Sequence, residues 1–139
     1  MSKAYKISFG VLTAAIALLL VTLFVFKVNV PKESELTGQS QQAAAGLAEN
    51  WIKDESKTYS FDGFDLTLSN ISTLTCQNCY QASFAFQSSH AGLGDRSEQI
   101  LAQVITPHKI VVTVKDGAIS SAITDEIYDE LTGNYLVRE

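Results

Sequence analysis

An unbroken run of apolar and uncharged residues lies near the start of the 139-residue chain, from Ile7 to Phe26. At 1.5 Å per residue, a helix of this length spans about 30 Å, the thickness of the hydrocarbon core of a bilayer. A core helix of a small domain would carry a polar face, which this run lacks. The pattern therefore predicts a membrane-spanning helix over residues 7–26.

A cleaved secretory signal is the alternative interpretation of this segment, because Lys3 and Lys6 precede it. Its apolar run is longer than the hydrophobic region of most signal peptides, and no small-residue cleavage site follows. We therefore expect an uncleaved anchor. A short tail over residues 1–6 precedes it, and a polar juncture over residues 27–35 joins it to a domain over residues 36–139.

An amphipathic helix is predicted at the start of that domain. Its apolar residues recur about every 3.6 positions and form one stripe, which ends near residues 57–58. The stripe consists of Leu36, Ala43, Ala44, Leu47 and Trp51.

Four later segments alternate between apolar and polar residues, as half-buried strands do. Their first alternating residues are Phe64, Tyr80, Lys109 and Ala118. The alternation slips between Leu68 and Ile71, which predicts a bulge. Residues 97–105 fit either a short helix or an early start of the third strand.

Short turns between these strands, such as the Asp116-Gly117 hairpin signal, favour an antiparallel meander. One face of such a sheet is apolar and needs cover, which only the predicted helix is large enough to supply. We therefore expect an α+β fold, in which an N-terminal transmembrane helix is followed by one long helix packed on a four-stranded antiparallel meander sheet.

Charge narrows the classes of partner. From Glu33 onward, six basic and fifteen acidic residues give a formal net charge of −9. A domain this acidic repels phosphate backbones, so we expect no nucleic-acid partner. The acidic residues Asp125, Glu126, Asp129 and Glu130 lack the spacing of a calcium loop and are expected to form a solvated edge.

Charge gives weaker evidence about the side of the membrane on which the domain lies. Two lysines lie on each side of the apolar segment, so the positive-inside rule does not decide the orientation. Because the domain is strongly acidic, we expect it to be exported, which makes it the extracytoplasmic part of a single-pass protein of the cell membrane.

The Cys76-Gln77-Asn78-Cys79 motif has three interpretations. A redox pair belongs at a helix N-terminus, whereas this motif lies between two predicted strands. A zinc site with His90 is disfavoured, because eleven extended residues would separate Cys79 from His90 by about 35 Å. A structural disulfide is favoured, because a β-turn brings its ends within about 7 Å and an exported compartment permits oxidation.

The antiparallel order also places His90 and His108 at one end of the sheet. A small binding pocket or a weak metal site there would use His90, His108 and Asp95. The alternative, which we favour, is a loop that holds itself together through its own hydrogen bonds. A triad of Ser88 or Ser89 with His90 and Asp95 is disfavoured, because adjacent strand residues point to opposite faces. The candidate binding residues are His90, Gly92, Gly94, Asp95, Arg96 and His108.

Several motifs carry a resemblance to known proteins, among them FDG, CQNCY, SHAGLGDR and VITPH. Over residues 49–130 the chain resembles a family of uncharacterised membrane-anchored or lipid-attached proteins of archaea and bacteria. The order of its elements resembles that of PepSY-type and cystatin-like domains. The resemblance implies the limits of the domain and carries no activity.

No coherent catalytic set emerges, so we expect a non-enzymatic protein-interaction domain or accessory subunit without a cofactor. Its expected partners are the membrane, through residues 7–26, and another protein. The alternative is a small-ligand or metal-binding domain that uses the loop from His90 to Arg96 together with His108.

Overall fold

The computed structural model describes the backbone of residues 33–137 and the side chains of residues 38–137. The predicted membrane segment over residues 7–26 lies outside this part of the chain. Within residues 33–137, no helix is long and apolar enough to cross a membrane.

Two helices open the described domain, α1 over Glu33–Glu55 and α2 over Lys57–Asp62. Ser56 separates them, because it takes an extended conformation and its hydroxyl accepts a hydrogen bond from the Tyr59 amide at 3.3 Å. This is the geometry of a helix N-cap. The predicted single helix to residues 57–58 therefore ends at Glu55.

The buried stripe of α1 consists of Ala44, Ala48 and Ile52, spaced four residues apart. Leu47 is 37% exposed, and Ala43 is exposed as well. The predicted stripe was thus wrong by about one position, which corresponds to a rotation of about 100° about the helix axis. Small alanines face the sheet and let the two layers approach closely, which periodicity alone does not reveal.

Six antiparallel strands form one sheet in which every strand pairs with its neighbour in the chain. The prediction of a four-stranded sheet with one helix was therefore wrong, and the fold is mostly β. The two missed strands are only two residues long, too short for alternation to mark them. The strands are β1 Gly63–Thr73, β2 Cys79–His90, β3 Gln103–Lys115, β4 Ala118–Thr124, β5 Tyr128–Asp129 and β6 Asn134–Tyr135.

The structure shows the bulge in β1 and the conformation of residues 97–105. The register of β1 against β2 shifts between Leu68 and Asn70, which confirms the predicted bulge. A second shift lies between Phe64 and Thr67. Residues 97–102 form neither helix nor strand, and residues 103–105 already belong to β3.

The core lies between α1 and the centre of the sheet. Cross-strand pairs such as Phe84 with Ile110 and Ala82 with Val112 join β2 to β3 on the helix-facing side. Along the same side, the buried residues become polar toward the end of β2, with Ser88 and His108. This change of character places the candidate site at one end of the sheet.

The cysteine turn lies at the opposite end of the sheet. Cys76 and Cys79 are at disulfide distance, with their Cα atoms 5.5 Å apart, as predicted. Asn78 between them has a φ of +53° and donates from its side chain to the Asp116 carboxylate at 3.3 Å. The Asp116 amide donates to the Asn78 carbonyl at 3.1 Å, so this turn and the β3–β4 hairpin brace each other.

Candidate functional site

Polar side chains gather on the helix-facing side of the sheet, where β2 ends and β3 begins. Three loops or helices converge there: α2, the loop over residues 91–102 and the β4–β5 turn. We call this region the polar end, and its members are Thr58, Asp62, Ser88, His90, Arg96, His108, Thr124, Asp125 and Glu130.

His90 bonds a carboxylate that sequence analysis had not assigned to it. Its Nδ1 lies 2.8 Å from Oδ2 of Asp62, the last residue of α2. The second oxygen of that carboxylate accepts a hydrogen bond from Arg96 Nη2 at 2.6 Å. Asp62 therefore bridges the end of β2 to the loop. Twenty-eight residues separate Asp62 from His90, so no local pattern marked the pair.

The loop over residues 91–102 closes around the side chain of Arg96. Its side chain is 2% exposed, its Nη1 donates to the carbonyls of His90 and Gly92, and its guanidinium lies 4.9 Å from the centre of the Phe61 ring. Within residues 38–137, its Nε is the buried side-chain polar atom without a partner. These contacts match the expected loop that holds itself together.

The two loop glycines take conformations that other residues rarely adopt. Gly92 has a φ of +100° and Gly94 a φ of +76°. A Cβ atom on Gly94 would collide with the hydroxyl of Tyr128. Burial is the main cause that raises the pKa of that Tyr128 hydroxyl. The Gly94 amide donates to the Thr58 hydroxyl at 2.8 Å, so the loop also rests on α2.

Asp95 forms its hydrogen bond within the loop. It is exposed and accepts a hydrogen bond from the Ser97 amide at 2.9 Å. That backbone hydrogen bond, followed by one from the Ser97 side chain, lowers the pKa of Asp95. Asp95 therefore stabilises the local turn.

His108 lies at the centre of a chain of three side chains. Its Nδ1 is 2.7 Å from Asp125 Oδ2, and its Nε2 is 3.0 Å from Ser88 Oγ. Its ring packs against Phe86 with centroids 5.1 Å apart. Asp125 reaches it from the β4–β5 turn, where Asp125 and Glu126 both have positive φ values of +51° and +62°.

The Ser88–His108–Asp125 chain has the hydrogen-bond spacing of a nucleophile, a base and an orienting carboxylate. The triad that the sequence disfavours joins Ser88 or Ser89 to His90 and Asp95, whereas Ser88 bonds His108 and His108 bonds Asp125. Ser88 is 0% exposed, however, and its hydroxyl donates to the His90 carbonyl at 2.6 Å. A nucleophile must give its proton to the base and reach a substrate, and Ser88 is placed to do neither.

The expectation for Glu130 was wrong. This residue was expected on a solvated acidic edge, yet it is 1% exposed. Its carboxylate accepts hydrogen bonds from the Thr124 hydroxyl at 2.6 Å and the Thr58 amide at 3.1 Å. The pattern around it, with Tyr128 and Glu130 buried and Asp129 between them half-buried, is the alternation of a strand. This alternation is one of burial, and the run Tyr128-Asp129-Glu130 shows no apolar–polar alternation that could have marked Glu130 from the sequence.

The arrangement offers no obvious metal centre. Across residues 38–137, no group of three or more His, Cys, Asp or Glu side chains is placed to hold a metal ion. Each histidine bonds its own carboxylate, and Ser88 lies between them. The set His90, Gly92, Gly94, Asp95, Arg96 and His108 thus stays a prediction as a binding site.

Two shallow grooves lie elsewhere. One, of about 540 Å³, runs between α1 and the cysteine turn and is lined by residues such as Leu47 and Tyr80. The other, of about 530 Å³, lies on the sheet face opposite α1, around Val111 and Ile123. Neither is lined by His90, Arg96 or His108.

Comparison of the chain with protein-family models, with curated proteins and with solved structures found no match. The resemblance to a family of anchored proteins, and to PepSY-type and cystatin-like domains, therefore stays a prediction.

Proposed function

We propose that this protein is a non-enzymatic interaction domain, held at the cell membrane by residues 7–26 and facing the extracytoplasmic side. The polar end supports this proposal, because its polar side chains form hydrogen bonds and ion pairs with one another. The net charge of −9 after residue 32 disfavours nucleic acid and anionic lipid as partners.

The placement of exposed apolar side chains carries the proposal. Of the nine large apolar side chains exposed among the described residues, seven lie in two short segments. Scattered apolar residues need no explanation, whereas clustered ones mark contact surfaces. We call residues 100–105 the apolar segment, after Ile100, Val104 and Ile105; the other segment contains Leu131, Tyr135, Leu136 and Val137.

The apolar segment contacts its partner through side chains, because the sheet edge beside it is guarded. Strand β4 pairs with β3 only over residues 110–115, so the start of β3 has an open edge. Lys109 directs its amide and carbonyl toward Asp125 on that side. Pro107, two residues earlier, faces the same side and has no amide proton. The register of β3 against β2 shifts between the pairs Ser88–Thr106 and His90–Gln103, which marks a bulge in β3. This bulge further disrupts the edge.

A small-ligand or metal site at the loop from His90 to Arg96 finds less support. Asp62 already bonds both His90 and Arg96. A ligand would have to displace the Asp62 carboxylate, whose side chain is 11% exposed, from both partners.

The test is site-specific photo-crosslinking of the full chain in its native membrane. A photoreactive residue at Val104 should give one discrete adduct, and the same residue at exposed Ser120 of β4 should not. Ile105→Asp should abolish the Val104 adduct while leaving the fold intact by circular dichroism. No adduct at Val104, or equal adducts at both positions, would overturn the proposal.

We further propose that Cys76 and Cys79 form a disulfide and that the domain is exported. Oxidation of such a pair requires an oxidising compartment, which the extracytoplasmic side provides. Mass spectrometry of the alkylated native protein, with and without reductant, counts the thiols. We expect none before reduction and two after it, whereas two free thiols in freshly isolated protein would contradict both statements.

A further inference from the structure

One sequence motif on β1 belongs neither to the polar end nor to the apolar segment. Asn70-Ile71-Ser72 has the form Asn-X-Ser with X other than proline, which is the acceptor signal for N-linked glycosylation. The chain contains this signal once. A signal this short can arise by chance, so its position in the fold decides whether it is usable.

Asn70 lies on the sheet face opposite α1. It pairs with Ser83 of β2, whose neighbours Ala82 and Phe84 belong to the core beneath α1. Because successive strand residues point to opposite faces, Ser83 and its partner Asn70 point away from the helix. Ser72 follows two positions later and takes the same face. The acceptor amide and the hydroxyl of the signal are therefore presented together.

The acceptor is accessible from two directions. Asn70 is exposed, and among the strands that the structure describes β1 pairs with β2 alone, so its outer edge is open. The register shift between Leu68 and Asn70 leaves Ser69 without a paired residue in β2, directly beside the acceptor. A transferase can therefore approach the backbone from the edge and the amide from the face, without entering between two strands.

The groove on this face has the chemistry of a saccharide contact. The row of partners that begins with Asn70 and Ser83 continues through Val111 and Ile123, both half-buried and part of the groove of about 530 Å³. Strands lie about 4.8 Å apart, so Val111, two strands away, is about 10 Å from Asn70, within reach of the first sugars of a glycan. Amide, hydroxyl and ammonium groups that can bond sugar hydroxyls line the same groove: Gln81, Lys109, Thr113 and Ser121.

We propose that Asn70 is the attachment site of an N-linked glycan that lies over the sheet face opposite α1. The site depends on the export proposed above, because this modification belongs to secreted chains. The glycan is bulky and hydrophilic, and it covers Val111 and Ile123, the apolar residues that this face otherwise presents to water.

The saccharide comes from a polyprenyl phosphate or diphosphate carrier in the membrane. Asn70 Nδ2 forms a bond to the anomeric carbon of the sugar, and the bond between that carbon and the phosphate oxygen of the carrier breaks. That oxygen keeps the bonding electron pair, and the amide gives up one proton to a base of the transferase. No atom is oxidised or reduced in this exchange.

The mass of the full chain, purified from the membranes of its native host, tests the modification. The protein should be heavier than its polypeptide by whole saccharide residues, and electron-transfer fragmentation should place the increment on Asn70. An unmodified chain, or an increment on another residue, would overturn the site. If that unmodified chain has no free thiols, the export proposed above stands and the glycosylation alone fails.

Four variants made in the same host separate the signal from its surroundings. Asn70→Gln and Ser72→Ala should each lose the whole increment, because each removes one required group. Ser72→Thr keeps the signal and should retain the increment, as should Ser69→Ala, the matched control on the bulge. An increment that persists in Asn70→Gln or disappears in Ser72→Thr would contradict the assignment. The wild-type mass decides the modification even if a variant does not fold.

Hydroxyl-radical footprinting measures what the glycan covers. Val111 and Ile123 should be oxidised faster in Asn70→Gln than in the glycosylated wild type. Ile100, which is exposed in the apolar segment, is the internal reference and should react equally in both proteins. Equal rates at Val111 and Ile123 would show that the glycan extends into solvent, which would overturn its placement over this face.

Discussion

At the scale of single residues, Arg96 holds the polar end together. Its guanidinium contacts Asp62, two backbone carbonyls and the face of Phe61, all while excluded from water. A buried ion pair of this kind is weak evidence of net stabilisation, because both charges lose their hydration. Removing only Arg96 is a different matter, since Asp62 then keeps His90 as its partner and loses the guanidinium that bonds its other oxygen.

We therefore expect Arg96→Ala to lower the free energy of unfolding by about 3–5 kcal/mol, the usual loss when one member of a buried pair is removed. Urea unfolding followed by circular dichroism measures it. Lys53→Ala is the control, because Lys53 forms an exposed pair with Glu49 within one helix and should show no measurable loss. Similar effects for the two variants would mean that Arg96 is not the central contact described above.

A pair of glycines separates backbone strain from steric collision. Gly94 and Gly117 have nearly equal φ values, +76° and +77°, but only Gly94 has a neighbour where a side chain would go. Gly117→Ala should cost about 1–2 kcal/mol, the penalty of a left-handed conformation for a residue with a Cβ atom. Gly94→Ala should lose clearly more in the same urea experiment, because its Cβ meets the Tyr128 hydroxyl. Equal losses would indicate that Tyr128 moves aside freely.

At the scale of elements, a disulfide that closes a loop as short as the cysteine turn would add little constraint to the backbone of that turn. Asn78 already takes a left-handed conformation and bonds Asp116 across the two turns. The hydrogen bonds and the cysteine pair therefore hold the same geometry.

If the pair is oxidised, its reduction should lower the free energy of unfolding by only about 2 kcal/mol, because the loop-entropy relation predicts small gains for short loops. Parallel urea titrations with and without reductant measure the difference. Asn78→Ala should destabilise the reduced and the oxidised protein alike, since it removes the bond to Asp116. A loss much above the entropic value would show that the disulfide also supports contacts beyond its own turn.

At the scale of the whole molecule, the sheet has an open edge that the chain protects locally. Pro107 removes a donor from the side of β3 that β4 leaves uncovered. Pro107 therefore hinders pairing between sheets of different molecules along this edge.

We expect Pro107→Thr to increase self-association, because it restores an amide donor on the open edge without adding a larger apolar side chain. Light scattering over a range of protein concentrations measures the mass. Adding Ile105→Lys to this variant should restore the mass of the unsubstituted protein, since a charge on an edge strand opposes pairing. An unchanged mass for Pro107→Thr would show that the bulge alone protects the edge.

Local periodicity predicted the elements that are long enough to repeat it. The α1 helix, the four longer strands, the β1 bulge and the Asp116-Gly117 hairpin all follow from spacing between near neighbours. The same reasoning missed β5 and β6, and it placed the buried stripe of α1 about one position away. A two-residue strand has no period, and helix rotation depends on side-chain volumes across the interface.

The same distinction, between what local sequence patterns predict and what tertiary packing decides, applies to the candidate site. The antiparallel order was enough to place His90 and His108 at one end of the sheet, and the glycine pattern was enough to predict a closed loop. Tertiary structure alone decided their partners, because Asp62 and Asp125 come from elements that no sequence spacing links to the histidines. Hydrogen-bond partners are set by the packing of whole elements, whereas periodicity records only which face each residue takes. The sequence thus determined where the polar groups gather, and only the folded chain decided that they bond one another.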